Sequence, residues 1–486
     1  MEAKLYGQNK GGMSINGIIK DYYAYAGENI SAGDLVEYVN GVAGETDYGE
    51  SIDTQLSTTT YTGSSISAVA LDESRVFIAH SYSSALKLYG MVCTVNGATI
   101  TLGADTALNN SNGTSEGFSL GLLPNGNVFI AHKNNSNYLY GMIVTINGTT
   151  ISVATDTQLT TTSAYTVSTS TLVLPNGDVF IAHSYGDNNY LYGIVCTIDG
   201  TTITKGTDTA LVSSTNAGIT ISTCLLPNGN VFIAHSYGSN YSLRGIVVSI
   251  NGTTFTKGSD TPISNNTNDG KVISTCLLPN GKIFIAYSSG SSYYLYGIVC
   301  SISGNGITQH SGVVISNSTN AGSTISTCLL PNGNVFIAHS YGSKYYLYGM
   351  VVTIDGTAIT KGTDTQLSTI AQTGLEMPTI DLLNGNVFIA HNYSSDNYLY
   401  AQIFGIDYEN NIPTNHISIT EYETQLRKVT TAQFDGIAKT SGEGGDDTGH
   451  KDVVSIWTLG ATQEFTMADG NTLCDSNGDI FLVREG

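Results

Sequence analysis

Seven near-copies of one stretch fill the middle of this 486-residue chain, and their phenylalanines, Phe77, Phe129, Phe180, Phe232, Phe284, Phe336 and Phe388, recur every 51 or 52 residues. Each copy approximates ISTCLLPNGNVFIAHSYGSxYYLYGIVVTINGTTITKGTDTQLS. It divides into four short apolar or alternating runs, separated by PNG, by a Gly/Ser/Asn cluster, by NG or DG, and by KGTD. Four strands per unit and seven units predict an all-β chain built as a seven-bladed β-propeller. Radial repetition of a four-stranded sheet leaves only short, protected edges, so such a chain needs neither helices nor one spherical core. Its strands are committed to packing, and function falls to the loops.

The ends lie outside the repeat. Residues 22–44 hold two short β runs around a Gly-Asp turn, and residues 434–460 hold two more around a Gly-rich loop. A two-stranded ribbon is marginal alone, so the two halves are expected to combine into one small split β-barrel or sandwich with the propeller inserted between them. The expected division is 1–50 and 421–486 for the small anchor domain and 51–420 for the propeller. The last stretch, FTMADGNTLCDSNGDIFLVREG, reads as a terminal hairpin. An xTQL-like segment occurs both before the first repeat, at Asp53–Leu56, and after the last, at Glu423–Leu426. One copy is therefore spare, and the N-terminal one is expected to complete the seventh blade.

Charge bears on partners. The net charge is −21, and residues 1–50 and 401–486 supply −14 of it. Phosphate recognition needs clustered Lys and Arg, so nucleic acid is excluded as a partner. The opening MEAKLYGQNKGGMSING has no apolar segment of the signal-peptide type, and no stretch approaches a membrane span, which predicts synthesis in a cytoplasm and no membrane insertion. Seven cysteines, mostly at apolar strand positions and without a CxxC pair, read as buried free thiols rather than disulfides or a metal site.

Three residue series could carry chemistry. His80, His132, His183, His235, His339 and His391 occupy one position of VFIAH, with Tyr287 breaking the series. Residues copied into every unit are structural by default, and equivalent positions on different blades lie too far apart to share an ion, so packing or hydrogen bonding is expected and no metal or cofactor. Among the tyrosines, Tyr89, Tyr140, Tyr192, Tyr296, Tyr348 and Tyr400 in LYG are expected to fill space between blades. Tyr185, Tyr237, Tyr341 and Tyr393, beside the Gly/Ser/Asn turn, are the candidate ligand-binding residues at the rim. A tyrosine next to hydroxyls and amides suits a sugar face, and weak sites repeated around a ring act by avidity. The GTDT acids Asp208 and Asp364 and their relatives Asp105, Asp156 and Asp260 are expected to form Asx-turns on their own backbone. Asp475, Asn477 and Asp479 match the start of a calcium loop, but Ile480 stands where Gly is required and no closing glutamate follows. No motif of a catalytic site is present, and near-identical blades lack the asymmetry such a site requires, so no catalytic residue and no enzyme are expected.

At the ends, AGDLVEYVNG, FDGIAKTSGEGG and KDVVSIW resemble a phrase of bacteriophage and prophage structural proteins from Gram-positive, clostridia-like hosts, of the capsid-decoration, head-fibre or tail-fibre kind. VFIAHSY arrays are similar to repeats in such genes. The chain departs from that phrase at Asp446–His450. The resemblance implies a virion protein, present in several copies, that contacts other capsid or tail proteins through residues 1–50 and 421–486. It also implies that the propeller is displayed towards host-surface or environmental glycans. The alternatives are a free lectin-like propeller without a particle, and a spacer that binds nothing outside.

Overall fold

The computed structural model describes residues 47–418, apart from 110–116, 164–167, 375, 383–384, 394 and 409. Outside that span it describes only the backbones of the strands Glu2–Lys4, Tyr22–Ala26, Leu35–Glu50, His416–Lys428, Gln433–Phe434, Gly436–Ala438, Val453–Trp457, Glu464–Thr466 and Leu482–Val483. Contacts divide the chain into two units, Asp47–Ile419 and the combined segments Met1–Thr46 and Thr420–Gly486.

The larger unit is a seven-bladed β-propeller of antiparallel sheets. In the fourth blade the strands are Ile221–Leu225, Val231–Tyr237, Ser242–Asn251 and an outer strand split into Thr254–Lys257 and Thr261–Ser264. Both outer pieces pair with the third strand, on either side of an interruption at Gly258–Asp260. The other blades repeat this plan, so the fourth run of each unit forms a broken strand.

The turns follow from the sequence. The NG or DG glycines Gly97, Gly148, Gly200, Gly252 and Gly356 adopt φ between 57° and 63°. A two-residue hairpin turn with the twist of its flanking strands demands this left-handed backbone, at which glycine has no steric cost. The second strand, VFIAH, is a continuous apolar run because it is buried on both faces. Its phenylalanines, from Phe77 to Phe388, are all fully buried. In the first six blades the phenylalanine packs under a glycine of the third strand, and Ala401 takes that place in the seventh; a Cβ on Gly349 would meet the Phe336 ring at 2.9 Å.

The core is distributed rather than central. Each seam between adjacent blades holds its own cluster. One example joins Phe232, Ala234, Leu243 and Val247 of the fourth blade to Ile283, Ile285 and Ile298 of the fifth. The first strands face the axis and exchange hydroxyl hydrogen bonds from blade to blade: Ser170 to Thr223, Ser222 to Thr275 and Ser274 to Thr327, each at 2.8 Å.

Ring closure uses both ends of the propeller. The seventh blade takes one piece of its outer strand, Ile412–Thr414, from the C-terminal side and the other, Thr54–Gln55, from the N-terminal side. Gln55 lies opposite Tyr400 and Thr54 opposite Ala401. The N-terminal xTQL copy therefore closes the ring. Buried Leu56 inserts into the seam between the seventh and first blades.

The smaller unit contains a closed barrel of Tyr22–Ala26, His416–Lys428, Leu35–Glu50, Gly436–Ala438 and Val453–Trp457, in that order. The C-terminal xTQL copy lies in this barrel, with Gln425 and Leu426 opposite Tyr25 and Ala26 in a parallel pair. Leu482–Val483 pairs in parallel with Gln433–Phe434. The other arm expected for the terminal hairpin lies outside the described residues, as do Asp475, Asn477, Asp479, Cys474 and Asp446–His450.

Candidate functional site

The interruption in each outer strand has a chemical consequence. It returns the GTD aspartate across the third strand to the buried histidine of the second. Six histidine Nε2 atoms lie 2.9 to 3.1 Å from an aspartate Oδ1, pairing His80 with Asp105, His132 with Asp156, His183 with Asp208, His235 with Asp260, His339 with Asp364 and His391 with Asp53. The same rings place Nδ1 2.6 to 2.9 Å from the carbonyl oxygen of the next residue. Carbonyls and carboxylates are acceptors, so each ring nitrogen faces an acceptor of its own blade. The expectation of Asx-turns is thus corrected: these carboxylates reach across a strand to an imidazole. Each imidazole is occupied by its own blade, and among the described residues no three His, Cys, Asp or Glu side chains converge.

The fifth blade explains why its histidine is missing. Tyr287 replaces the imidazole, and register places Gly312 where the other blades have aspartate. A Cβ on Gly312 would lie 3.1 Å from the Tyr287 hydroxyl, so the tyrosine tip occupies the space the carboxylate fills elsewhere. Tyr287 bonds instead to Ser264 of the preceding blade, and burial raises its hydroxyl pKa. The pair is exchanged as a unit. A sequence signal existed, because the aspartate before the outermost run is absent only from the copy that lacks the histidine.

The LYG tyrosines lie directly across from the histidines, as Tyr348 does from His339. Each is half-buried; Tyr296 packs against the cluster between the fourth and fifth blades as expected, whereas four others stack on the rim tyrosine of their own blade. Ring centroids are 4.1 Å apart in Tyr82–Tyr89, 3.9 Å in Tyr185–Tyr192, 4.1 Å in Tyr341–Tyr348 and 4.2 Å in Tyr393–Tyr400. Partial burial, then the stacked ring and the nearby aspartate, push the hydroxyls of Tyr192, Tyr348 and Tyr400 up.

The four candidate residues Tyr185, Tyr237, Tyr341 and Tyr393 thus occupy equivalent places on the third, fourth, sixth and seventh blades, each half-buried, and do not converge on one site. Tyr185 donates to the Thr162 hydroxyl at 2.8 Å. Tyr237 differs, since Arg244 replaces the partner tyrosine and lies 4.3 Å over its ring. That guanidinium donates to Asp260 Oδ2 at 2.9 Å. Burial acts to raise the Asp260 carboxyl, but the bonds and charges of His235 and Arg244 hold it below the usual range.

Hairpins and inter-blade loops interlock along the rim. The loop before the fifth blade bonds to the hairpin behind it through Asn268 N–H to Asn240 O at 2.8 Å, and to the one ahead through Gly290 N–H to Thr267 O at 3.0 Å. Gly270 is required there, because a Cβ would stand 2.6 Å from Ser242 O. At the hairpin tips Tyr241, Tyr293 and Tyr345 adopt φ of 51° to 52°, uncommon for a bulky residue.

No protein-family model and no curated sequence matches the chain. Solved structures do match its fold. A lectin from Burkholderia pseudomallei superposes with a TM-score of 0.57 at 8% identity, covering 74% of this chain and 99% of that one. A protein from Lactobacillus plantarum gives 0.51 at 12% identity, covering 73% and 99%. A putative 6-phosphogluconolactonase from Bacteroides uniformis gives 0.50 at 14%, again covering 73% and 99%. At such identities the likeness is one of fold.

Proposed function

We propose that the chain is a carbohydrate-binding propeller, a display module without catalytic activity, that presents several equivalent shallow sites at its rim. The observation that carries this reading is the half-exposed tyrosine pair repeated on four blades beside loops rich in Ser, Thr, Asn and Gly. A ring face takes the C–H side of a sugar, while neighbouring hydroxyls and amides take its OH groups. Individually weak sites at fixed spacing on one rigid body gain strength on a multivalent surface. The fold shared with a protein named a lectin supports the same reading. Against catalysis stand the GTD aspartates, each committed to a histidine of its own blade.

The resemblance of the terminal segments to phage structural proteins supports a virion location, in which residues 1–50 and 421–486 attach to capsid or tail proteins and the propeller meets glycans on a host or in the environment. A free lectin without a particle is the alternative. A glycan array probed with the intact chain, beside a Tyr185→Ala/Tyr341→Ala/Tyr393→Ala variant with native circular dichroism, tests the binding role. Selective glycan capture by the wild type, lost in the variant, is expected. Equal capture by both moves binding away from the tyrosine pairs, and no capture by either leaves a spacer. Mass spectrometry of purified phage particles tests the location, and absence of the polypeptide favours the free lectin.

A further inference from the structure

We infer that the rim between the fourth and fifth blades carries a distinct site for an acidic saccharide, in which Lys271 receives the anionic group and Tyr241 and Tyr293 receive the sugar ring. The inference rests on the carbohydrate-binding reading and gives one site a substrate class. Lys271 is exposed on the interlocked loop, with its ammonium 4.9 Å from the Tyr293 ring centre and 5.7 Å from that of Tyr241. The two rings come from hairpins of neighbouring blades, and the ammonium lies between them, meeting Tyr293 from its hydroxyl end. The ammonium also donates to the Tyr293 hydroxyl. An ammonium has three N–H donors, and among the described residues the other two have no protein acceptor.

Position and charge set this seam apart. Among the described residues the counterparts at other junctions are Ser64, Ile219 and Ser323, which carry no charge. Across the hairpins and loops at 236–242, 265–272, 288–294, 317–324 and 340–346 the charged residues are Lys271, Lys344 and Asp269. Asp269 is fully buried and accepts a hydrogen bond from Ser264, so the exposed charge of this sector is positive in a chain of net −21. By contrast, the hairpins of the third and seventh blades expose Asp187 and Asp396. Backbone bonds fix the cation's loop: Gly270 N–H donates to Tyr241 O at 2.5 Å, and Lys271 N–H to Asn268 O at 3.2 Å. The site is therefore formed before a ligand arrives, which limits the ordering entropy lost on binding.

Titration of the intact chain with a trigalacturonate, its neutral methyl ester and a sulfated galactose trisaccharide tests this. Wild type is expected to bind at least one anionic probe about tenfold more tightly than the ester, the effect of one charge-assisted contact. Lys271→Met is expected to erase that difference while Lys271→Arg keeps it, and neutral-glycan binding that depends on Tyr185 and Tyr341 stays unchanged in both. Preference for the carboxylated or the sulfated probe tells which anion fits. No anionic preference in wild type, or an undiminished one in Lys271→Met, overturns the inference alone; absence of binding to any saccharide overturns it together with the carbohydrate-binding role.

Discussion

Replacing His339 by Tyr and Asp364 by Gly together should cost the sixth blade far less than the separate effects imply, because the fifth blade already carries that combination. Asp364→Gly alone removes the partner of a fully buried imidazole that it meets at 2.9 Å. Leaving a buried donor unsatisfied costs about 2–3 kcal/mol. His339→Tyr alone drives a hydroxyl towards the carboxylate. In the fifth blade, even a Cβ at the facing position would lie 3.1 Å from that hydroxyl. Overpacking of this kind costs about 1–3 kcal/mol. Independent effects would therefore sum to about 4 kcal/mol. In the double variant the tyrosine occupies the vacated space and faces Ser316, which now donates to Asp364 at 3.1 Å and corresponds to the Ser264 that bonds Tyr287. The expected net loss is about 1 kcal/mol, giving a favourable coupling of about 3 kcal/mol. Denaturant unfolding of the four intact chains, followed through tyrosine fluorescence, supplies the cycle. A coupling below about 0.5 kcal/mol, the usual scatter for independent sites, would falsify the claim that the two positions form one unit.

Deleting residues 51–57 should lower the thermal midpoint by at least about 5 °C, since it removes buried Leu56, the Thr54–Gln55 pairing and the Asp53 partner of His391; an unchanged midpoint in calorimetry contradicts closure by the N-terminal segment. Glu376, half-buried just before the strand Thr379–Asp381, has its carboxyl raised by desolvation from 4.5 to about 8. Because the folded pKa is the higher one, the protonated form is favoured by folding, and stability falls as pH rises from about 4.5 through 8. Glu376→Gln should flatten that part of the profile and gain on wild type at pH 9, and parallel midpoint curves would refute the assignment. Burial pushes the thiols of Cys93, Cys196, Cys276 and Cys300 up to about 12 and that of Cys224 to about 11. An aromatic disulfide reagent at pH 8 should accordingly label at most one thiol of the native chain and all seven cysteines in denaturant; rapid labelling of several native thiols would show that the seams open.

The 51- or 52-residue period, the PNG and NG turns and the apolar VFIAH run by themselves determine the propeller and its blade count. These features act within one repeat: turn glycines set the hairpins, and a strand buried on both faces excludes polar residues from its middle. The rim tyrosines were legible for a similar reason, since they flank a turn. What a residue does across strands or blades was not legible. Asp208 stands 25 residues from His183, and nothing local announces that an interrupted outer strand brings them to 3.0 Å. His391 finds its aspartate 338 residues away because the circle closes there. The Tyr287 and Gly312 exchange was present in the sequence as two departures, but their relation depends on packing space. Likewise Lys271 reads as one lysine in a polar loop, and only the meeting of two hairpins from neighbouring blades places its charge between Tyr241 and Tyr293. Local backbone preference set the repeat; contact between repeats, which rests on volume, hydrogen-bond partners and closure of the ring, decided the chemistry at each seam.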